Sequence, residues 1–469
     1  MGSFSALNSL LGSGSSSSID LSSILQAAYG SSSSGLDVTS AVNAAITAAR
    51  APETAWSNQA YTVQSQISAL KQIQSQTSNL DNDMLALGSL TGALSSRSVT
   101  SSNSNAVTAS AATGSASGNH VVVVRNLATT ASWTSTSFAS GTTALPTGSF
   151  TITAADGSTT SITADGTKTL TDVANEITGD NLGVTASVIT DATGARLALV
   201  ANSSGAASNF SIAGDATFGF AQAGTGTNAS LTVDGIQVSS ATNTVSGVLG
   251  GITLNLLSAN PGAEVSLSVA PNTSQAATVI NNFVSDYNAL INSISSQFTF
   301  TGTSEGVLAT DSAVRSLQSQ LLGAAGYTYS PAAGSTSIAN LSSLGINVNN
   351  DGTLSVDSAT LQSQLQNNFG DVQNFFQGSS LNGFANSLDQ QLTDFLSPAN
   401  GTFTVDLQSM NSQVSTLQDD INDFETNYIT PLKAQLQSEY SQAEILLQQL
   451  PMMMKQIQTQ LGQNSGSNG

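Results

Sequence analysis

The side chains that could carry out chemistry in this chain are few and scattered. Its one histidine, His120, follows Gly118 and Asn119 and precedes a run of valines, so a serine–histidine–aspartate triad would depend on this single position. Because the chain has no cysteine, thiol nucleophiles, disulfides and zinc–thiolate sites are excluded. We therefore interpret His120 as an ordinary strand or turn residue.

Two glycine-containing segments match ligand-binding loops only in part. The segment Gly224–Ala229 fits a loose dinucleotide-binding pattern, but that pattern requires a following helix, and the residues from Leu231 onward predict a strand. The segment 347–352 places asparagine, aspartate and glycine as a calcium-binding EF-hand loop does, but Ser358 stands where that loop needs glutamate. We interpret the first segment as a linker and the second as a hairpin turn.

Four acidic residues, Asp419, Asp420, Asp423 and Glu425, lie close together in a region with helical periodicity. General acid–base catalysis needs two carboxyl groups in differently shielded surroundings, and nothing in this pattern shields one from water. We interpret the cluster as a solvated helix face. The sequence therefore predicts a protein that is not an enzyme, with no cofactor and no metal site.

The composition narrows the range of partners. The chain has 469 residues, 9 Lys+Arg against 29 Asp+Glu and a net charge of -20. Nucleic acids and anionic membranes bind clusters of cations, so neither is an expected partner. No apolar run approaches the roughly 18 to 20 residues that span a bilayer. The N-terminal residues also lack the layout of a signal peptide, so we expect no membrane span and no general secretory route.

Helices at both ends of the chain carry the residues that are candidates for contacts between proteins. Apolar residues recur there in steps of three and four, which is the pattern of a coiled-coil seam. The same stripe at Ala276–Ile294 predicts intramolecular core, whereas the C-terminal stripe predicts packing between chains. Pro431 and Pro451 predict that the C-terminal helix divides into two or three segments. The seam residues predicted to make assembly contacts are Trp56, Val63, Ile67, Leu70, Leu407, Met410, Val414, Leu417, Ile421, Phe424, Leu447, Leu450, Met454, Ile457 and Leu461.

The middle of the chain reads as antiparallel hairpins, with two-residue turns of positive φ expected at Asp156-Gly157, Asp234-Gly235 and Asp351-Gly352. One short helix is expected at Thr169–Ile177, capped by Thr169 or Thr171. The fold class is therefore α+β multidomain, with a helical coiled-coil stalk built from both termini and inserted antiparallel β-rich head domains. The expected domains are a flexible N-terminal leg segment (1–48), a discontinuous helical stalk (49–98 and 276–404), a discontinuous β-rich head (99–140 and 228–275), a second β-rich head inserted in it (141–227) and a C-terminal coiled-coil leg (405–469).

Four motifs, in this order, resemble those of the bacterial flagellar hook-associated protein 2 family, which caps the flagellar filament. The first is Gly35-Leu36-Asp37-Val38 with a helix and Arg50-Ala51-Pro52 after it, and the second runs from Ser117 through the valines to Ala128. The third spans Thr169–Gly205, and the fourth is Leu341–Leu361 with its Asp351-Gly352-Thr353 turn. Together these motifs are spread over nearly the whole chain.

The resemblance implies a structural and assembly protein at the distal tip of the flagellar filament. Its subunits would form a ring-shaped homo-oligomer, commonly a pentamer, that retains exported flagellin and promotes its folding and insertion. Secretion would use the flagellar type III apparatus and an export chaperone. Further partners would be hook–filament junction proteins and host surface glycans. The family's leg contacts would fall on the seam residues and on Val38, Val42 and Ile46.

Three other functions fit parts of the sequence. An extracellular adhesin or tail-fibre-like protein would have a coiled-coil stalk at one end of the sequence, whereas here helical seams occupy both ends. A hook–filament junction protein would share the paired helical termini but not the Asp351–Asp357 signature. A glycan-directed enzyme would need an aromatic-lined carboxylate motif, which the sequence does not show.

Overall fold

The computed structural model describes residues 38–464 except 215, 300–301, 303–305 and 331–337. The described chain has terminal helices and antiparallel sheets between them, as the α+β expectation requires. The helices are α1 Val38–Ala49, α2 Ala51–Gly88, α3 Leu170–Gly179, α4 Thr273–Phe298, α5 Ser312–Ala325, α6 Ser358–Asn367, α7 Phe369–Gln377, α8 Phe384–Leu396, α9 Thr402–Phe424 and α10 Thr430–Asn464. Three short 3₁₀ helices lie at Ala93–Ser95, Ala206–Ser208 and Ser342–Leu344, and a π-helical turn at Glu425–Ile429 joins α9 to α10.

The strands lie between α2 and α6. Their bounds are β1 Arg97–Ser101, β2 Val107–Ala111, β3 Gly118–Asn126, β4 Ser132–Thr134, β5 Gly148–Thr153, β6 Thr159–Ala164, β7 Val184–Asp191, β8 Gly194–Ala201, β9 Ser211–Gly214, β10 Ala221–Gly224, β11 Ala229–Val233, β12 Ile236–Ser240, β13 Thr244–Leu249, β14 Ile252–Leu256, β15 Val265–Pro271, β16 Ile346–Val348 and β17 Leu354–Val356.

Backbone contacts divide the chain into two compact units. Among the described residues, the terminal unit comprises 38–80, 288–323 and 390–464, and the central unit comprises 81–287 and 324–389. The division falls within α2, α4, α5 and α8. The expected stalk, 49–98 with 276–404, therefore contributes residues to both units, and the borders of the five domains given above stay predictions.

One β-rich core of the central unit lies between a five-stranded sheet and a three-stranded sheet. The strand orders are β1-β15-β3-β11-β12 and β13-β14-β2, and every neighbouring pair is antiparallel. Alternate residues of β11, β14 and β15 point inward, which gives these strands the period of two that a sheet with one buried face requires. The buried core residues include Val107, Val122, Val124, Leu231, Val233, Leu254, Leu256, Leu267 and Val269.

A second core is formed by the sheets β10-β4-β8-β7 and β6-β5-β9 with helix α3. The helix begins at the expected cap: Thr169 accepts a hydrogen bond from the Asp172 N–H, and the Asp172 carboxylate accepts one from the Thr169 N–H. This reciprocal capping box satisfies backbone donors that a helix start otherwise leaves open. The four expected apolar residues of the helix, Leu170, Val173, Ala174 and Ile177, are all buried in this core.

The three Asp-Gly turns differ in construction. Asp234 and Gly235 both have positive φ, 50° and 82°, and form the expected two-residue loop between β11 and β12. The other two connections are longer, at 154–158 and 349–353, and only their glycines have positive φ. There the Asp156 and Asp351 carboxylates accept hydrogen bonds from both the N–H and the hydroxyl two residues later, so the expectation of two-residue loops was wrong at these turns.

Helix α4 buries the broad apolar face that its sequence predicts. Ala276, Val279, Ile280, Phe283, Tyr287, Leu290, Ile291 and Ile294 are all buried within the chain. In the central unit, Phe384 of α8 contacts Phe283 and Phe375, with ring centroids 5.6 Å apart in each pair. Interlocking aromatic rings of this kind add packing energy beyond their buried area, so they fix the helices of this unit against one another.

Candidate assembly surface

The two ends of the described chain pack against each other in the terminal unit. Val42 and Ile46 of α1 form a buried cluster with Ile429 of the π-helical turn, with exposed fractions of 1%, 7% and 1%. Partly buried apolar residues surround this cluster: Val38, Ala49, Phe424, Leu432, Leu436 and Tyr440. The amphipathic faces of the two terminal helices therefore cover each other, as expected from helical seams at both ends of the sequence.

A charged contact closes the end of this helix pair. The Arg50 guanidinium contacts Glu53 in the next helical turn at 2.8 Å and Glu425 at 2.7 Å. Arg50 is 37% exposed and Glu425 41% exposed, so solvent screens the pairs and their main effect is to fix geometry. Glu425 is therefore both solvent-accessible, as expected, and ion-paired, while Asp419 and Asp423 are exposed and Asp420 is partly buried.

Aromatic rings continue the contact on the other side of Glu425. The Trp56 ring of α2 meets the edge of Phe424 at a centroid distance of 5.5 Å and an interplanar angle of 88°. Phe424 in turn stacks on Tyr428 at 5.0 Å. Tyr428 is 50% exposed, so the row of rings runs from the helix contact to the surface.

The expected division of the C-terminal helix is confirmed near Pro431, where the π-helical turn separates α9 from α10, whereas Pro451 adds no further break. The Thr430 N–H donates to the Glu425 carbonyl five residues earlier, which widens the helix by one residue immediately before Pro431. A proline in a regular helix clashes with the carbonyl four residues before it, and a π-turn at this point moves that carbonyl aside. Pro451 lies inside α10, which continues to Asn464.

The predicted contact residues fall into three groups by exposure. Val42, Ile46, Val63, Ile67, Leu70 and Leu417 are buried within the chain. Val38, Trp56, Leu407, Met410, Val414, Ile421 and Phe424 are partly buried. Leu447, Leu450, Met454 and Ile457 are 49% to 57% exposed, and the side chain of Leu461 lies outside the described residues. The first group forms core, and a role of any of these residues in contacts between chains stays a prediction.

We name the exposed group, Leu447, Leu450, Met454 and Ile457, the α10 seam. It forms part of a larger apolar surface on α10. Ile445, Leu446, Met452 and Met453 are also about half exposed or more. Contiguous apolar patches on a soluble chain mark sites of association. The α10 seam is therefore the candidate assembly surface of the described residues.

The residues considered for catalysis have structural partners. The His120 Nδ1 lies 2.8 Å from Asp234 Oδ2, and the Asp234 Oδ1 accepts from the Val121 N–H, so the pair fastens the β11–β12 turn to β3. The hydrogen bonds from His120 and Val121 hold the pKa of Asp234 below its usual value. Gly224–Ala229 links β10 to β11, with no helix following it. The β16–β17 hairpin satisfies Asn349 and Asp351 through Thr353.

One further motif was missed at the sequence level. Gly302–Gly306 reads G-x-S-x-G, but residues 303–305 lie outside the described part of the chain. The preceding element is helix α4, whereas a nucleophile elbow follows a strand. Among the described residues no group of three acidic or histidine side chains is placed to hold a metal ion, and no helix is both long and apolar enough to cross a membrane.

Comparison with known proteins agrees with the order of motifs. Family models for the flagellar hook-associated protein 2 N-terminus and C-terminus match residues 34–131 and 226–452, and the flagellin hook IN motif matches 149–203. The B-type flagellar hook-associated protein 2 of Pseudomonas aeruginosa is 27% identical over 77% of this chain and 82% of its own length. Flagellar hook-associated protein 2 of Escherichia coli K12 is 27% identical over 92% of this chain and 98% of its own length.

A solved structure has the same fold. The crystal structure of the D1-D2-D3 domains of the flagellar cap protein FliD from Escherichia coli matches 73% of this chain and 99% of its own, with 27% identity and a TM-score of 0.57. The adhesin alternative, with a stalk at one end of the sequence, is not favoured, because both termini pack in one unit. The chain belongs to the flagellar hook-associated protein 2 family, the family of the flagellar filament cap.

Proposed function

We propose that this protein sits at the distal tip of the filament as a ring-shaped homo-oligomer, commonly a pentamer, retains exported flagellin and promotes its folding and insertion. The observation that carries the proposal is the packing of α1 on the π-helical turn and α10, with the α10 seam left uncovered. A paired terminal region with an uncovered apolar side can bind both a neighbouring copy and the filament. The family itself is structural, and no catalytic step is invoked.

The charge of the chain supports a protein partner of low charge. With a net charge of -20 and only 8% charged residues, the chain must associate mainly through apolar and hydroxyl-rich surfaces. Copies of such a chain repel one another weakly at physiological salt, since screening acts over about 8 Å. Apolar contact along the α10 seam is the favourable contribution that can exceed this repulsion.

The proposed partners follow from a position at the filament tip. Flagellin is the partner that a cap at the filament tip requires, and the hook–filament junction proteins stay a prediction. An export chaperone and host surface glycans stay predictions, as do secretion by the type III apparatus and the number of subunits.

The proposal is tested by deleting the gene in its own bacterium and measuring filament length and flagellin in the culture medium. We expect absent filaments and monomeric flagellin in the medium, both reversed by added purified protein. A matched pair of variants then tests the assembly surface: Leu447→Gln with Leu450→Gln should fail to restore filaments, and Ile189→Gln with Ile236→Gln, at exposed positions of the central unit, should restore them. Normal filaments after deletion would overturn the capping function.

A further inference from the structure

Four aspartates from three helices form two carboxyl pairs in the central unit. The Asp81 carboxyl of α2 faces that of Asp389 of α8, and the Asp83 carboxyl of α2 faces that of Asp286 of α4. Residues two apart on a helix point in different directions, which is why the two α2 carboxyls meet different neighbours. Helix α2 is thus joined to α8 on one side and to α4 on the other through acid groups.

In each pair one buried oxygen of the α2 carboxyl has no donor unless the pair holds a proton. Asp81 Oδ1 and Asp83 Oδ2 are buried, and no N–H or hydroxyl group donates to them. The group that faces each is another carboxyl, which can donate only when protonated. When both members of a pair are ionised, two like charges adjoin and buried oxygens stay unsatisfied, which is unfavourable.

No cation of the described residues offsets these charges. The ionisable groups acting on Asp81 and Asp83 are Asp389 from α8 and Asp286 from α4, and all are acidic. None of the five ion pairs among the described residues includes one of the four aspartates. Tyr287, next to Asp286, stays neutral because burial raises its pKa to about 12.

We propose that the two pairs are an acid-responsive lock, in which one shared proton in each pair joins α2 to α8 and to α4 and the loss of that proton loosens the contact. The donor is a carboxylic acid O–H and the acceptor is the facing carboxylate. The lock is closed in mild acid and open in neutral and alkaline solution. It is a property of the fold and does not depend on the capping function.

The direction of the pH dependence follows from the pKa values. Burial, followed by repulsion from the facing carboxyl, raises the pKa of Asp81 and of Asp83 from 3.8 to about 6. A carboxyl whose pKa is higher in the folded state than in the unfolded state stabilises the fold while it is protonated. This stabilisation is fully present below the unfolded-state pKa and is lost as the pH rises through about 6. Between the unfolded-state and folded-state pKa values, each pair raises the unfolding equilibrium constant by up to about tenfold per pH unit. The increase is smaller where solvent screens the carboxyls.

The test compares urea unfolding, followed by circular dichroism, at about pH 4.5, 5.5 and 7 in full-length chains. All chains carry His120→Gln, so that the one histidine of the sequence is absent from the comparison. We expect the parent to lose stability as pH rises and Asp81→Asn with Asp83→Asn to remove most of that loss. The matched control, Asp394→Asn with Asp419→Asn, removes the same charge at exposed positions and should keep the parental pH dependence. Asp406, whose pKa is also raised by burial and by Asp311, is common to all three chains.

A direct titration keeps the inference testable if the double variant does not fold. In the chain labelled with carboxyl-¹³C aspartate, signals assigned through single Asn substitutions should titrate near pH 6 for Asp81 and Asp83. Midpoints near 4, or an equal loss of pH dependence in the control, would overturn the lock.

Discussion

At the residue scale, polar side chains in this protein mainly close turns and helix ends. Asp156, Asp165, Asp191 and Asp351 each accept hydrogen bonds from the N–H and the hydroxyl two residues later. These bonds lower the pKa of all four aspartates. Ser and Thr are therefore structural partners of aspartate in these loops.

The capping box of α3 gives a first prediction at this scale. Thr169→Ala removes the hydroxyl that accepts from the Asp172 N–H and should lower the free energy of unfolding by about 1 kcal/mol. Trp133 packs against the same core and donates to the Phe210 carbonyl, so its fluorescence reports the transition in urea. Thr169→Ser keeps the hydroxyl and should stay close to the parent. Equal losses in both variants would contradict the capping role.

The β11–β12 turn gives a second prediction. Gly235 has φ +82° and open space on the side where a Cβ would project, so Gly235→Ala adds backbone strain without a clash. The expected loss is about 1 to 2 kcal/mol of unfolding free energy, measured by urea denaturation. Gly250→Ala is the control, because Gly250 also has open space but no positive φ. If the two substitutions cost the same, the positive φ of Gly235 is not what constrains the turn.

At the element scale, periodicity predicted the terminal helices, helix α4, the antiparallel hairpins and the capped helix α3. Apolar spacing suffices for this because each element buries one face. The π-turn before Pro431 could not be predicted, since proline rules describe a regular helix and the wider turn avoids their clash. The Arg50–Glu425 contact joins residues 375 apart in sequence, and no local pattern connects them. For the same reason the sequence did not distinguish the buried seam residues, such as Ile67, from the exposed ones, such as Leu450.

Proline within α10 gives a prediction for that helix. Pro451→Ala restores a backbone donor in a helix interior and should stabilise α10 locally by up to about 3 kcal/mol. The measurement is amide hydrogen exchange of peptides from 440–464, which should slow. Pro52→Ala lies in the first turn of α2, where a donor is not needed, and should leave exchange there unchanged. Unchanged exchange in 440–464 would mean that Pro451 does not limit the helix.

At the scale of the whole molecule, a continuous apolar surface left exposed by the described residues lies on the C-terminal helix α10. The apolar cores of the central unit are closed within the chain, and its exposed apolar residues, such as Ile189, Ile236 and Leu257, lie on separate strands or connections. The α10 seam instead repeats along one helix. Repetition matters because a helix partner can cover several seam residues at once, whereas single exposed residues are ordinary on any surface.

This difference leads to a prediction about self-association. Replacing Leu447, Leu450 and Ile457 together with glutamine keeps good helix formers and removes the apolar contact, so the fold should persist while association weakens. If each side chain contributes on the order of 1 kcal/mol when covered, the dissociation constant should rise roughly a hundredfold. Sedimentation velocity over a concentration series measures this dissociation constant.

The control variant carries glutamine at Ile189, Ile236 and Leu257, because these residues are at least as exposed but lie in the central unit. Association that survives the first triple variant and fails in the second would place the interface on the central unit and leave the α10 seam for the filament alone.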